Sequence, residues 1–256
     1  MTIKRALLLF ALLIPAVSGH AQDKQDALPA PVQAMQERGI EIVDDFETPA
    51  GVRGYAGIAG GQPMAIYVVN EGQNAIVGIM IDGDGDPVNQ DTLDELVAKP
   101  ISERTWSQLE NSTWVADGDE DAPRIIYEFS DPNCPYCHQF WEQSRPWVES
   151  GKVQIRHVLV GVISESSPYK AAAILAADDP EQAYLENENN FEDNGIQPLD
   201  EIPSAIRDQL VANQQLMHQL GIRGTPGIFY KDAEGRVHTQ RGVPQGNALE
   251  EILGAS

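Results

Sequence analysis

The stretch Ser130-Asp-Pro-Asn-Cys-Pro-Tyr-Cys-His-Gln-Phe140 contains both cysteines of this 256-residue chain, Cys134 and Cys137. An apolar run at 125–129 leads into it, and apolar residues at helical spacing follow it between 140 and 148. These patterns predict a strand, a tight turn and a helix that begins at the two cysteines. The two thiols then lie about one helical turn apart, close enough to exchange a disulfide with each other.

The Cys-x-x-Cys spacing is compatible with more than one chemistry. After a strand and at the start of a helix it is typical of thioredoxin-type thiol–disulfide exchange, because a helix N-terminus stabilises a thiolate. With His138 it also spells the attachment sequence for a c-type haem, which would need a second axial ligand. A zinc site would need a second pair of ligands, and a structural disulfide would close too short a loop to stabilise the fold much. The redox interpretation is favoured, and it requires no cofactor or metal.

Residues 1–21 have the pattern of a secretory signal peptide. Lys4 and Arg5 precede an apolar run at 6–14, and small residues at 19–21 form a cleavage site. The apolar run is too short to span a bilayer, so we expect cleavage and no membrane insertion afterwards; an uncleaved anchor is the alternative. The mature chain is predicted to begin near Gln22 and to work in an oxidising compartment.

The chain is strongly acidic, with 39 acidic and 17 basic residues and a net charge of −22. Loss of Lys4 and Arg5 with the signal peptide would change that charge from −22 to −24. Such a balance argues against nucleic acids and anionic membranes as partners. It predicts instead that proteins with basic surfaces are attracted to this molecule.

The order of elements predicts three parts in the mature chain. Residues 22–90 form a small α+β unit with a short helix, three or four strands and no catalytic constellation. Residues 91–112 form a helical linker, which starts at a capping box at Thr92 and is interrupted at Pro100. Residues 113–256 follow the order β-α-β, helices, β-β-α, which is a thioredoxin fold with a helical insertion at about 166–220.

The cysteine region and its surroundings resemble the DsbC and DsbG family of periplasmic thiol:disulfide interchange proteins. The similarity is carried by Leu28-Pro-Ala-Pro-Val32, Gly54-Tyr55, Phe129-Ser-Asp-Pro-Asn-Cys-Pro-Tyr-Cys-His-Gln-Phe-Trp141, Arg145-Pro-Trp-Val148, Gly151-Lys-Val-Gln154 and Leu159-Val-Gly-Val162. The Pro-Tyr dipeptide between the cysteines is similar to DsbG, whereas DsbC has Gly-Tyr there. The extra disulfide of DsbC has no counterpart in this chain.

The resemblance implies an assembly and a set of partners. It implies a V-shaped homodimer in which cystatin-like N-terminal domains dimerise and each linker leads to a thioredoxin domain. It also implies periplasmic protein substrates that carry cysteines, and an inner-membrane electron donor of the DsbD type that keeps the pair reduced. The implied activity is that of a disulfide isomerase and a reductase of oxidised protein cysteines, including sulfenic acids.

The two cysteines are predicted to have different roles. Cys134 is expected to be the nucleophile, because it is the more N-terminal and is expected to be the more exposed of the pair. Only a thiolate attacks a disulfide, and the start of a helix stabilises one. Cys137 is expected to be the resolving thiol, which releases the substrate from the mixed disulfide. Tyr136 between them is either a substrate contact or an exposed ring without a role.

Two further features are candidates for substrate binding and proton transfer. Thr225-Pro226 matches the family's cis-proline loop, and the resemblance implies that the Thr225 backbone pairs with an extended substrate; an ordinary turn proline is the alternative. Glu128 lies six residues before Cys134, the spacing of the buried acid in thioredoxin and DsbA, whereas DsbC and DsbG look apolar there. Buried, Glu128 would take the Cys137 proton; the alternative is a solvated strand edge.

Several activities share these two thiols. Isomerase, reductase and a monomeric DsbA-like dithiol oxidase differ in the direction of electron flow, which the reduction potential decides. A non-catalytic redox-sensing module is a further alternative. The extra N-terminal unit argues against the monomeric oxidase.

Overall fold

A four-stranded antiparallel sheet dominates the first part of the chain. The computed structural model describes residues 28–255, so the signal-peptide segment 1–21 lies outside it. The strands, in the order in which they pair, are β1 (Glu41–Glu47), β2 (Arg53–Ala59), β3 (Gln62–Val69) and β4 (Asn74–Val77). Helix α1 (Ala30–Gln36) packs on this sheet through the buried side chain of Val32.

Two helices joined by a π-helical turn connect this sheet to the second half of the chain. They are α2 (Gln90–Leu93) and α3 (Lys99–Glu110), with the wider turn at Asp94–Ala98 between them. The expected capping box is wrong, because α2 begins at Gln90 and Thr92 lies inside it. Pro100 does not interrupt the helical path. It lies in the first turn of α3, directly after the π turn, where the regular hydrogen-bond ladder is already broken.

The second half of the chain forms a five-stranded mixed sheet in the order β5-β7-β6-β8-β9. Its strands are β5 (Val115–Asp117), β6 (Arg124–Ser130), β7 (Val153–Leu159), β8 (Gly227–Lys231) and β9 (Val237–Arg241). Strands β6 and β7 are parallel, and the other pairs are antiparallel. The central strand β6 leads into the cysteine turn, and helix α4 (Pro135–Glu149) follows that turn.

Helices fill the connection between β7 and β8. They are α5 (Ser167–Leu175), α6 (Pro180–Asn189) and α7 (Ser204–Gln219), with a short 3-10 turn at Phe191–Asp193. Their apolar side chains pack with Trp141 of α4 and Leu159 of β7 in one core cluster. The last helix, α8 (Ala248–Leu253), packs in a separate core cluster, which contains Phe140 of α4. No helix within residues 28–255 is long and apolar enough to cross a membrane.

Candidate active site

Cys134 occupies the N-cap position of α4, directly before Pro135. Its Sγ accepts a hydrogen bond from the backbone N–H of Cys137 at 3.4 Å. The same sulfur donates to the backbone carbonyl of Thr225 at 3.5 Å. Pro135 costs nothing at this position, because the first N–H groups of a helix have no partner within the helix. The N–H groups at the start of α4, including that of Cys137, stabilise a negative charge on the Cys134 sulfur.

This environment lowers the pKa of Cys134 from its ordinary value of 9.0 to about 7. The hydrogen bond with the Cys137 side chain contributes most to the decrease, and burial opposes it. The expectation that Cys134 is the more exposed cysteine is wrong, because the two side chains are each 1% exposed. The two cysteines therefore differ in the pKa of their thiols, although their exposed fractions are equal.

Cys137 lies in the first turn of α4 and faces the interior. Burial raises its pKa well above 9.0, and hydrogen bonding to Cys134 and the negative charge of Glu128 raise it further. Both cysteines are free thiols. At neutral pH one sulfur is readily ionised and the other keeps its proton, which matches the chemistry of a nucleophile and a resolving thiol.

The loop before β8 borders Cys134. The Thr225–Pro226 peptide bond is cis. The Pro226 carbonyl accepts a hydrogen bond from the backbone N–H of Gly242 at 2.9 Å, which ties this loop to the end of β9. The Thr225 Oγ1 atom is buried and has no hydrogen-bond partner within residues 28–255. Tyr136, by contrast, is 62% exposed and lies on the open side of the cysteine turn.

Glu128 lies in β6 and is fully buried, so the alternative of a solvated position at a strand edge is wrong. Its Oε2 lies 2.7 Å from Nδ1 of His157 on β7. Nε2 of His157 lies 3.3 Å from Oδ2 of Asp117 on β5. Arg145 of α4 donates to both Asp117 carboxylate oxygens, one of them at 3.0 Å. These four residues form a buried charged cluster beneath Cys137.

The buried charged cluster is close to neutral as a whole, with two carboxylates and two cationic groups. Burial raises the pKa of Glu128, against the influence of His157. Burial alone would lower the pKa of His157, but Asp117 and Glu128 outweigh it and raise that pKa to about 9. For Asp117, His157 and Arg145 outweigh burial and lower the pKa to about 2. A Glu128 carboxyl that ionises closer to neutral pH is suited to exchange protons.

Asp131 supports the cysteine turn from the other side and was not predicted from the sequence. Its buried carboxylate accepts hydrogen bonds from the backbone N–H groups of Val162 at 2.6 Å and Ile163 at 2.9 Å. It also accepts from the Ser167 hydroxyl at 2.7 Å and from the N–H of Asn133 at 2.9 Å. These bonds hold the turn before Cys134 against the loop that follows β7.

Three members of the buried charged cluster were also not predicted from the sequence: Asp117, Arg145 and His157. They lie on three different elements, and the fold alone brings them together. The one available signal was a pair of ionisable residues, Arg156 and His157, in a strand whose other residues, apart from Gln154, are apolar. His138, the residue that completes the haem attachment pattern, places Nδ1 2.9 Å from Oε2 of Glu188 on α6.

Comparison with known proteins identifies the class. The family model for a thioredoxin-like domain matches residues 115–256, which confirms the predicted fold of this part. Among solved structures, Proteus mirabilis ScsC in a transitional conformation superposes with a TM-score of 0.51. That match has 22% identity over 64% of this chain and 88% of the other, and it supports the fold alone.

Two curated relatives extend over nearly the whole chain. The thiol:disulfide interchange protein DsbG of Pseudomonas aeruginosa is 43% identical over 254 residues, covering 99% of each chain. The DsbG of Escherichia coli K12 is 39% identical over 254 residues, covering 98% of each. The chain belongs to the DsbG family of thiol:disulfide interchange proteins, and the predicted resemblance is confirmed. It is a thiol:disulfide oxidoreductase, and this favours thiol exchange over haem attachment as the use of Cys134 and Cys137.

Proposed function

We propose that the protein works in the periplasm as a disulfide isomerase and as a reductase of oxidised protein cysteines, including sulfenic acids. The observation that carries the proposal is the opposite shift of the two thiol pKa values, down for Cys134 and up for Cys137. An acidic first thiol reacts readily, and a protonated second thiol delays release of the substrate. That delay gives a mixed disulfide time to rearrange.

The first step is attack by the Cys134 thiolate on one sulfur of a substrate disulfide. The Cys134–substrate disulfide forms, the substrate disulfide breaks, and the second substrate sulfur leaves as a thiolate that takes a proton from water. With a sulfenic acid, the same attack forms the same mixed disulfide, and the leaving hydroxide becomes water. The protein is covalently joined to its substrate at this stage in both reactions.

The mixed disulfide then has two outcomes. In isomerisation, another substrate thiolate attacks it, a new substrate disulfide forms, and the Cys134 thiolate is regenerated. In reduction, Cys137 attacks the Cys134 sulfur, the substrate leaves as a thiol, and two electrons pass to the substrate as the Cys134–Cys137 disulfide forms. A membrane electron donor of the DsbD type then reduces this disulfide again.

Glu128 is the proposed proton acceptor for Cys137 in the reduction step. Its Oε2 is bonded to His157, whereas its Oε1 is buried and has no hydrogen-bond partner within the described residues. The charge of Glu128 acts directly on the Cys137 thiol, so the two groups are close. We infer that the unpartnered oxygen receives the Cys137 proton as that sulfur attacks.

Thr225, Pro226 and Tyr136 are the proposed substrate-binding residues. The Thr225 carbonyl is already in contact with Cys134 Sγ, so an extended segment that brings its sulfur to Cys134 passes along this loop. Pairing through the backbone accepts many sequences. The Tyr136 ring, 62% exposed beside the cysteines, offers an apolar surface to the same segment.

We also propose that residues 22–90 dimerise the protein and that residues 91–112 link this unit to the catalytic part, 113–256. The support comes from an exposed apolar surface at and after the edge strand β4. Ile76 is 58% exposed, Ile79 74% and Ile81 61%. Side chains of this kind are normally covered, and a second copy of the chain would cover them. Secretion through the signal sequence at 1–21 would bring the dimer to the periplasm.

The redox state of the cysteine pair in living cells tests this function. Cells would be quenched with acid, and free thiols alkylated with a reagent that changes the mass of the protein. We expect Cys134 and Cys137 to be mostly reduced, and to become oxidised in cells that lack the membrane electron donor. A pair that is mostly oxidised in normal cells would contradict the proposal and favour a DsbA-like oxidase.

A further inference from the structure

Two adjoining cavities beside the active site are free of acidic residues, although the chain contains 39 of them. One has a volume of about 470 Å³ and lies between α3, the end of α7, the strands β8 and β9, and residues 60–62 at the turn from β2 to β3 of the first sheet. The other, of about 510 Å³, continues from it to Thr225. They share Gly221 and Arg241 as lining residues, so they adjoin there, and together they are called the arginine groove.

Three arginines line this groove: Arg104, Arg223 and Arg241. All three are exposed, and none makes a side-chain hydrogen bond or an ion pair with any of residues 28–255. Several other arginines are engaged by carboxylates; Arg145 binds Asp117, and Arg236 binds Asp232. Guanidinium groups without partners, gathered in a concave surface, remain available to a ligand.

The position of Arg241 connects the groove to the reacting sulfur. Arg241 is the last residue of β9 and pairs with Gly227 of β8. Gly227 follows Pro226 directly in the chain, next to the cis Thr225–Pro226 bond. The next residue, Gly242, donates its N–H to the Pro226 carbonyl. At the other end of the same loop, the Thr225 carbonyl contacts Cys134 Sγ. A chain joined to Cys134 and lying along Thr225 therefore enters the groove at Arg223 and Arg241.

We propose that the groove formed by Arg104, Arg223 and Arg241 binds a carboxylate-bearing segment of the substrate polypeptide that flanks its reacting cysteine. This assignment rests on the proposed function, because the ligand is the segment held in the mixed disulfide with Cys134. Guanidinium groups bind carboxylates with two parallel hydrogen bonds, and the lining has no acidic group to compete. The positive charge of the groove thus favours substrates with acidic residues near the reacting cysteine. The net charge of −22, by contrast, is expected to attract basic proteins to the molecule as a whole.

The test compares three synthetic peptides of equal length, each with one cysteine in a mixed disulfide with methanethiol. The residues around the cysteine are glutamates in one peptide, glutamines in the second and lysines in the third. The rate constant for reaction with the reduced full-length protein is measured at low and high salt. We expect the glutamate peptide to react about fivefold faster than the glutamine peptide at low salt, and the ratio to approach one at high salt.

Variants locate the effect. In Arg223→Gln and Arg241→Gln the glutamate-to-glutamine rate ratio is expected to fall about threefold in each. Lys152→Gln is the matched control. Lys152 is exposed and lies outside the groove, and this substitution removes one positive charge, as each arginine substitution does. Its ratio should equal that of the unaltered protein. An equal decrease in the control would assign the effect to net charge and overturn the groove.

The outcomes separate the groove from the proposed function. If the glutamine and glutamate peptides both react with Cys134 at the same rate, or the lysine peptide reacts fastest, the groove assignment is wrong and the thiol chemistry stands. If none of the peptides reacts with Cys134, the proposed function itself fails.

Discussion

The two sheets of this protein handle polar and apolar groups in opposite ways. The first sheet leaves apolar side chains at its edge, including Ile79 at 74% exposure, and Thr48 is the one polar side chain buried within residues 28–90. The second sheet and its helices bury charged groups: Asp117, Glu128, Asp131, His157, Lys170 and Glu188. Burying an unpaired charge costs several kcal/mol, and an exposed apolar surface invites association.

This difference separates the tasks of the two parts. A solvent-exposed apolar surface is suited to bind a second protein. Buried ionisable groups, by contrast, occur where catalysis or precise positioning requires them. The buried charged cluster of Glu128, His157, Asp117 and Arg145 lies beneath Cys137, the proposed resolving thiol, whose proton it would take up. We therefore expect substitutions in the first sheet to change assembly and those in the cluster to change rates.

The largest expected effect is on substrate trapping by the cysteine pair in the half of the chain that contains the second sheet. Cys137→Ser retains the acidic thiol but cannot resolve the mixed disulfide, so disulfide-linked partners should accumulate and be visible on non-reducing gels. Cys134→Ser removes the nucleophile and should trap none. Trapping by Cys134→Ser at the level of Cys137→Ser would show that the roles of the two thiols are reversed.

The next effect concerns assembly through the first part. The double variant Ile79→Glu/Ile81→Glu places charge on the exposed apolar surface, and the dimer dissociation constant should rise at least about a thousandfold. Sedimentation across a concentration range measures it, and the reactivity of Cys134 should be unaffected. Val211→Glu, at a position 48% exposed on α7, is the control. An unaltered protein that sediments as a monomer would contradict the proposal.

A pH dependence of stability tests the buried charged cluster. The pKa of His157 is raised from 6.5 to about 9, so protonated His157 stabilises the folded state fully below pH 6.5. That stabilisation, at most about 3 kcal/mol, is lost as the pH rises through about 9. Urea unfolding of the disulfide form, in which Cys134 does not titrate, should show this decrease. Stability that is constant from pH 6.5 to 9 would mean that His157 is neutral in the fold.

Glu128→Gln should slow the reduction step without preventing formation of the mixed disulfide. Loss of a proton acceptor for Cys137 is expected to reduce the rate of substrate release by about a hundredfold. Rapid-quench kinetics on a mixed-disulfide peptide would separate the two steps. Glu149→Gln, at an exposed position on the same α4 helix, should behave like the unaltered protein. Equal release rates in the two variants would remove Glu128 from the mechanism.

The thioredoxin-like fold and the reactive pair were predictable because their signals are local. An apolar strand, a turn and a helix that begins at Cys134 are written in consecutive residues. The buried charged cluster was not predictable beyond Glu128, since Asp117, Arg145 and His157 lie on separate elements. The arginine groove is still harder to predict from the sequence, because Arg104 and Arg241 come together only when α3 packs against β9.

The pKa of Cys134 in the reduced, unaltered protein tests the central claim most directly. Alkylation by iodoacetamide would be followed against pH, with mass spectrometry of the Cys134 peptide to separate it from Cys137. The rate should rise about tenfold per pH unit at low pH and level off above a pKa of about 7. A Cys134 that titrates near the ordinary thiol value of 9.0 would contradict the assignment of this sulfur as the activated nucleophile.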